Sequence, residues 1–180
     1  MMQGKLLGMA AIVAALLAPG AAADGFRSGP VIEGFGKVAY VKQTFPVAKD
    51  QHFKVVFDTG EQGKEGDVNR TLDSMARFLN MHGAAGVPLE NIQLALVLHG
   101  KAAWDALTDD AHQRKLAKPN PNSVLLQALL DKGARIIVCG QTAAYLGIDN
   151  NMLAPGVEMS LSAMTAHAQL AQQGYSLNPF

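Results

Sequence analysis

Gly133-Ala134-Arg135-Ile136-Ile137-Val138-Cys139-Gly140-Gln141-Thr142 leads from a glycine stop, through an apolar strand, to a Cys-Gly pair that opens the short helical stretch Gln141 to Leu146. A strand that runs directly into a helix is the unit of an α/β fold. Upstream, Ser123 to Lys132 is an amphipathic helix with Asn122 or Ser123 as its N-cap and Gly133 as its stop. Before it, Ile92 to Leu98 is a buried strand ending at His99-Gly100, and the polar stretch from Thr108 to Asn122 is a long excursion with some helix. The first unit is His52 to Phe57, a β-branched and aromatic run that ends at Asp58-Thr59-Gly60. A helix follows from Asp67 to about Met81, with Val68, Leu72, Met75, Ala76 and Leu79 on one stripe before Gly83. Downstream, Val157 to Leu161 is a fourth strand. The last helix, Ser162 to Gln173, places Met164, Ala168 and Ala171 on one face and stops at Gly174. Strands spaced by helices in this way imply parallel pairing through right-handed crossovers. The expected fold is therefore a three-layer α/β/α sandwich with a mainly parallel sheet of about four to five strands.

The N-terminus has a different character. Lys5 precedes an apolar stretch from Leu6 to Leu17, and Ala21-Ala22-Ala23 stands just before Asp24. That order is a signal peptide, and an apolar core of about 12 residues is too short to span a bilayer as a helix. Cleavage near Ala23 would deliver a periplasmic chain of about 157 of the 180 residues, with no membrane attachment. The chain then divides into a signal peptide (1–23), a Gly- and Pro-rich arm with a short edge strand at Lys37 to Val41 (24–51), and the α/β domain (52–180). Charge is balanced, 15 basic against 15 acidic residues with no long run of either sign, and aromatics make up 6%. Neither the electrostatic footprint nor the stacking platforms of a nucleic-acid binder are present.

Three strands end in chemically able residues: Asp58, His99 and Cys139. In an open parallel sheet these ends lie along one edge, where ligands gather. Cys139 is the single cysteine of an exported chain, so it is a small apolar core residue, is joined to another chain, or is kept as a reactive thiol. Its place before Gly140 and a helix start sets the sulfur near free N–H groups that favour thiolate. His99 either acts as acid or base or satisfies hydrogen bonds at a strand end. Asp58 either orients a base or closes the turn before Thr59-Gly60. Gly60 to Gly66 lacks both the dinucleotide fingerprint and the phosphate-loop ending, which makes it a flexible loop. Asp58, His99 and Cys139 are far apart in sequence and show no metal-ligand spacing, so no metal or other cofactor is expected. His52, His82, His112 and His167 show no mutual spacing.

Gly133 to Thr142, followed by Tyr145-Leu146-Gly147-Ile148, resembles the cysteine region of the DsrE/DsrF-like family. Val55-Val56-Phe57-Asp58, Asn120-Pro121-Asn122, Leu153 to Val157 and the ending Ala166 to Phe180 are similar to its exported single-domain members. The resemblance implies an α/β/α fold, assembly into homotrimers or homohexamers, and sulfur handling. In its sulfur-relay members a cysteine accepts sulfane sulfur as a persulfide and passes it to a partner protein; Cys139 matches that position in the Val-Cys-Gly pattern. The expectation is an exported, sulfurtransferase-like carrier. In it Cys139 reacts with help from His99 and Asp58, Gly140, Gln141, Thr142 and Gly100 hold the sulfur anion, and a sulfur donor and an acceptor protein serve as partners. The alternative is a non-catalytic, oligomeric small-ligand-binding module in which Cys139 is packing.

Overall fold

The computed structural model describes residues 25–178; the expected signal peptide lies outside the described residues. Two short strands, β1 (Phe26–Arg27) and β2 (Val38–Ala39), pair antiparallel with each other. The arm strand is thus part of a separate two-stranded ribbon, not an edge of the main sheet. The main sheet holds β3 (Phe53–Thr59), β4 (Ile92–Leu98), β5 (Arg135–Cys139), β6 (Glu158–Ser160) and β7 (Ser176–Leu177). Its order is β6-β5-β4-β3-β7 and every pairing is parallel. Five helices connect the strands: α1 (Arg70–Ala84), α2 (Asp109–Leu116), α3 (Ser123–Asp131), α4 (Gly140–Leu146) and α5 (Ala163–Gln172). No helix among the described residues is long and apolar enough to cross a membrane.

The strand order explains the layers. From β3 to β6 the chain steps steadily in one direction, and right-handed crossovers keep the intervening helices on one face. The return from β6 to β7 runs the opposite way across the sheet, so its helix, α5, must lie on the other face. The packing divides accordingly. The thick face joins Val55, Phe57, Leu94, Leu96, Leu98, Ile136 and Val138 to residues of α1 and α3 in one large core. The thin face sets Val56, Ala95, Val97 and Ile137 against Ala166 and Leu170 of α5, with Ala163 and Tyr175 partly buried beside them.

Several boundaries move for local reasons. α1 begins at Arg70 rather than Asp67 because Asn69 caps it, its side chain accepting from the Thr71 N–H at 2.8 Å. β3 runs on through Asp58 and Thr59, so Asp58 is a strand residue paired with Val97 and not the start of a turn. The loop after it is tied down, not flexible: the Gly63 N–H donates to Asp105 Oδ2 at 2.9 Å and the Asn69 amide donates to the Glu61 carbonyl at 2.9 Å. In α5 the expected apolar face is reversed. Ala166 and Leu170 are buried, while Met164 is 80% exposed. Both stripes of this alanine-rich helix are apolar, and the one with Ala166 and Leu170 faces the sheet below a cap in which the Ser162 hydroxyl accepts from the Thr165 N–H at 3.0 Å.

Candidate functional site

Asp58, His99 and Cys139 stand side by side at the carboxyl edge of the sheet. Leu98 pairs with Thr59 on one side and Val138 on the other, so His99 and Cys139 lie one step beyond a register pair. Alternation along each strand puts Asp58 with Val56, His99 with Val97, and Cys139 with Ile137 on the thin face, under α5. α5 covers Asp58 there, and its one titratable side chain reaches it. His167 Nε2 lies 2.7 Å from Asp58 Oδ1, and His99 Nε2 lies 3.0 Å from Asp58 Oδ2. One carboxylate therefore orients two imidazoles, each through its Nε2. His99 is held by the carboxylate and not by the sulfur.

The backbone around this corner is built for close approach. A Cβ on Gly60 would meet His99 Cε1 at 2.7 Å, so the imidazole lies directly over a glycine. Gly100 has φ +49°, and a Cβ there would come within 2.9 Å of the Gly60 carbonyl oxygen. Its N–H donates to Thr142 Oγ1 at 3.3 Å, which leaves the Thr142 hydroxyl proton free to turn toward the thiol. Gln141 reaches away, its Nε2 donating to the Leu161 carbonyl at 3.2 Å. Gly140 abuts the carbonyl oxygens of Ser160 and Leu161, where no side chain fits.

Cys139 is buried, with 6% of its surface exposed. Burial is the largest single influence on its thiol and works to raise the pKa. It is outweighed by the backbone N–H and hydroxyl of Thr142 and by the N–H groups of Ala163 and Gln141, which together hold the thiol below its ordinary value. None of these closes as a formed cap on the sulfur of Cys139; they act as partial positive charges converging on it from the starts of α4 and α5. Among the described residues no group of three His, Cys, Asp or Glu side chains is arranged to hold a metal ion. The site is thus an acidic thiol under a thin lid, beside a bridged His-Asp-His cluster.

The model of the DsrE/DsrF-like family matches residues 51–179. The chain belongs to the DsrE/DsrF-like family. Among solved structures, a protein of unknown function from Methanobacterium thermoautotrophicum, MTH1491, is similar at 20% identity with a TM-score of 0.53. The match covers 70% of this chain and 97% of that one, and the likeness is one of fold. No curated protein matches. The family's α/β sandwich is the fold described above, and its matched segment contains every residue of the corner just built. His167 is the member that spacing along the chain did not reveal. The available signal was alternation: Asp58 shares a face with Val56, and a helix covering that face must supply any partner.

Proposed function

We propose that this chain is a sulfur-trafficking protein that carries sulfane sulfur as a persulfide on Cys139 and passes it to an acceptor protein. Family membership points to a sulfur-relay-related role. The observation that carries the finer reading is the ring of N–H groups and the Thr142 hydroxyl that favour the Cys139 thiolate despite its burial. The thiolate attacks the sulfane sulfur of a donor such as R–S–SH. A new S–S bond forms on Cys139, the donor's S–S bond breaks, and the thiolate RS⁻ leaves with the electron pair. The persulfide anion is then held by the Gly140 to Thr142 backbone, and Gly100 keeps the Thr142 hydroxyl in place. Asp58 and His99 serve proton transfer at the neighbouring strand end. Export with cleavage near Ala23, a periplasmic location and assembly into homotrimers or homohexamers are parts of the same proposal.

The second reading, a ligand-binding module with a structural Cys139, is favoured by one observation, the burial of the sulfur. A structural cysteine in an apolar core has its pKa raised, and Cys139 has the opposite shift. Intact-mass analysis of wild type and Cys139→Ser after exposure to polysulfide or thiosulfate separates the two. The expected result is a reductant-sensitive gain of about 32 Da, one sulfur atom, on wild type only. No adduct under native conditions, with ready alkylation after unfolding, refutes sulfur carrying and leaves the binding module. Fractionation and N-terminal sequencing of the chain expressed with its leader test the export step.

A further inference from the structure

The bridged cluster contains a residue that no step above uses. We propose that His167 is a positioning residue: through Asp58 it locks the orientation of the His99 ring and seats the first turn of α5 against Cys139. The inference deepens the reading of Cys139 as the reacting thiol, while its test reads the seating itself.

The geometry of α5 and β3 carries it. His167 Nε2 lies 2.7 Å from Asp58 Oδ1, the shorter of the two bonds to that carboxylate. His167 and Ala163 are four residues apart on α5, so they share one helix face, one turn from each other. Ala163 stands in that first turn, three residues after Ser160, the register partner of Cys139, and its N–H is among the groups that lower the thiol. On the thin face α5 itself buries only Ala166 and Leu170 against the sheet, with Ala163 partly so, and its ends are tied by the Ser160 hydroxyl, which donates to the Ser162 carbonyl, and by Lys54 and Arg135, which donate to Gln173. Asp58, by contrast, stands in a strand paired on both sides and does not move with the helix. The bond from His167 to Asp58 therefore ties a lightly packed helix to a rigid strand one turn from the thiol. The titratable groups facing this corner are Asp58 of β3, His99 after β4, Cys139 of β5 and His167 of α5.

His167→Ala removes the tie, and His167→Gln keeps a donor amide at nearly the same reach. The experiment is native-state hydrogen exchange of the Ala163 amide, with the pH profile of Cys139 alkylation by iodoacetamide, in wild type and both variants. In His167→Ala the amide exchanges about five-fold faster or more, the factor that matches loss of one hydrogen bond of about 1 kcal/mol. The alkylation midpoint moves to higher pH as the amide leaves the sulfur, and the limiting rate at high pH rises as the cover loosens. His167→Gln restores most of both. Unchanged exchange and an unchanged profile in His167→Ala overturn the proposal, and so does a Gln variant as loose as the Ala variant. If His167→Ala does not fold, Asp58→Ala, which removes both bonds to the imidazoles, must give the same two shifts. These readouts do not require persulfide formation. A wild type that takes up no sulfur defeats the carrier reading and leaves this one standing.

Discussion

Replacing Gly140 by alanine puts the greatest pressure on the site with the smallest change. Gly140 follows Cys139, whose register partner is Ser160, so the two chains are at sheet spacing where α4 begins. A Cβ on Gly140 would sit closer than 3.0 Å to the Ser160 carbonyl oxygen and 3.2 Å from that of Leu161. Both are backbone atoms and no rotamer change removes them. Relief requires that Ser160 to Ser162 move outward, and Ser162 is the cap that starts α5 and so places Ala163. Overpacking of this kind costs about 2–3 kcal/mol. For a domain of this size that is a fall in Tm of about 5–10 °C. The thiol should respond as well. In wild type the convergent N–H groups hold Cys139 below an ordinary cysteine, so its alkylation midpoint lies at lower pH than that of the unfolded chain; in Gly140→Ala it should rise toward the unfolded value. Gly133→Ala is the control. Nothing lies within 4 Å of a Cβ there, but its φ of +80° strains any side chain, so it should cost about 1 kcal/mol and leave the thiol alone. Thermal melts and iodoacetamide pH profiles of the three proteins decide the matter. A Gly140→Ala protein as mild as Gly133→Ala, with the wild-type profile, would refute the reasoning.

Two further expectations concern buried polar groups away from the thiol. Asn80 is fully buried in α1; its oxygen accepts from the Val31 and Ile32 N–H groups, and its amide donates to the Ile32, Phe35 and Gly36 carbonyls. Asn80→Ala should cost about 3 kcal/mol in urea unfolding and open the arm to limited proteolysis before the domain is cut; an arm as resistant as wild type would rule this docking out. Burial raises Asp105 above its ordinary value of 3.8, against the lowering effect of bonds from Asn69 and Gly63. Its contribution to stability is thus full below the unfolded-state value and is lost as pH rises through the folded-state value. Asp105→Asn keeps an acceptor oxygen, so its stability relative to wild type should climb with pH above 3.8 and then level, and a difference with no trend in a urea series across pH would contradict this.

The strands were legible wherever a run of apolar residues had to be buried, as in Ile92 to Leu98 and Ile136 to Val138. β7 was not, because Ser176 and Leu177 are both exposed and form a strand only by pairing with Val55 and Val56. Polar residues that turn inward were also hidden. Asn69, Asp105, Asn120 and Asn122 are buried beneath the loop that follows β3, and the Asn122 oxygen accepts from the Asn69 N–H. Composition alone assigns such residues to solvent, since nothing in one dimension shows which partner will satisfy them. At the site, parallel strand ends were enough to collect Asp58, His99 and Cys139. The pairing of Asp58 with His167 spans 109 positions and depends on which face α5 takes, the one feature of that helix read the wrong way round.

That face also ties the burial of the sulfur to the groups that lower its pKa. Had α5 packed through Met164, that larger side chain would have lifted its first turn off the sheet. Ala163 and Ala166 let it lie close, with Ala95 fully buried beneath. The layer that shuts water away from Cys139 is therefore the same layer that delivers the Ala163 N–H to it. Cover and ionisation rise and fall together. Opening α5 would expose the sulfur but remove part of what makes it a thiolate, so a permanently open site would be reachable and weakly nucleophilic. The same cover thus lowers the thiol's pKa and limits its reach, so access to Cys139 depends on how closely the first turn of α5 lies on the sheet. On this account substitutions on the thick face act on reactivity only through global stability, whereas those at Ala163, Ala166 or His167 change the thiol before they change the fold.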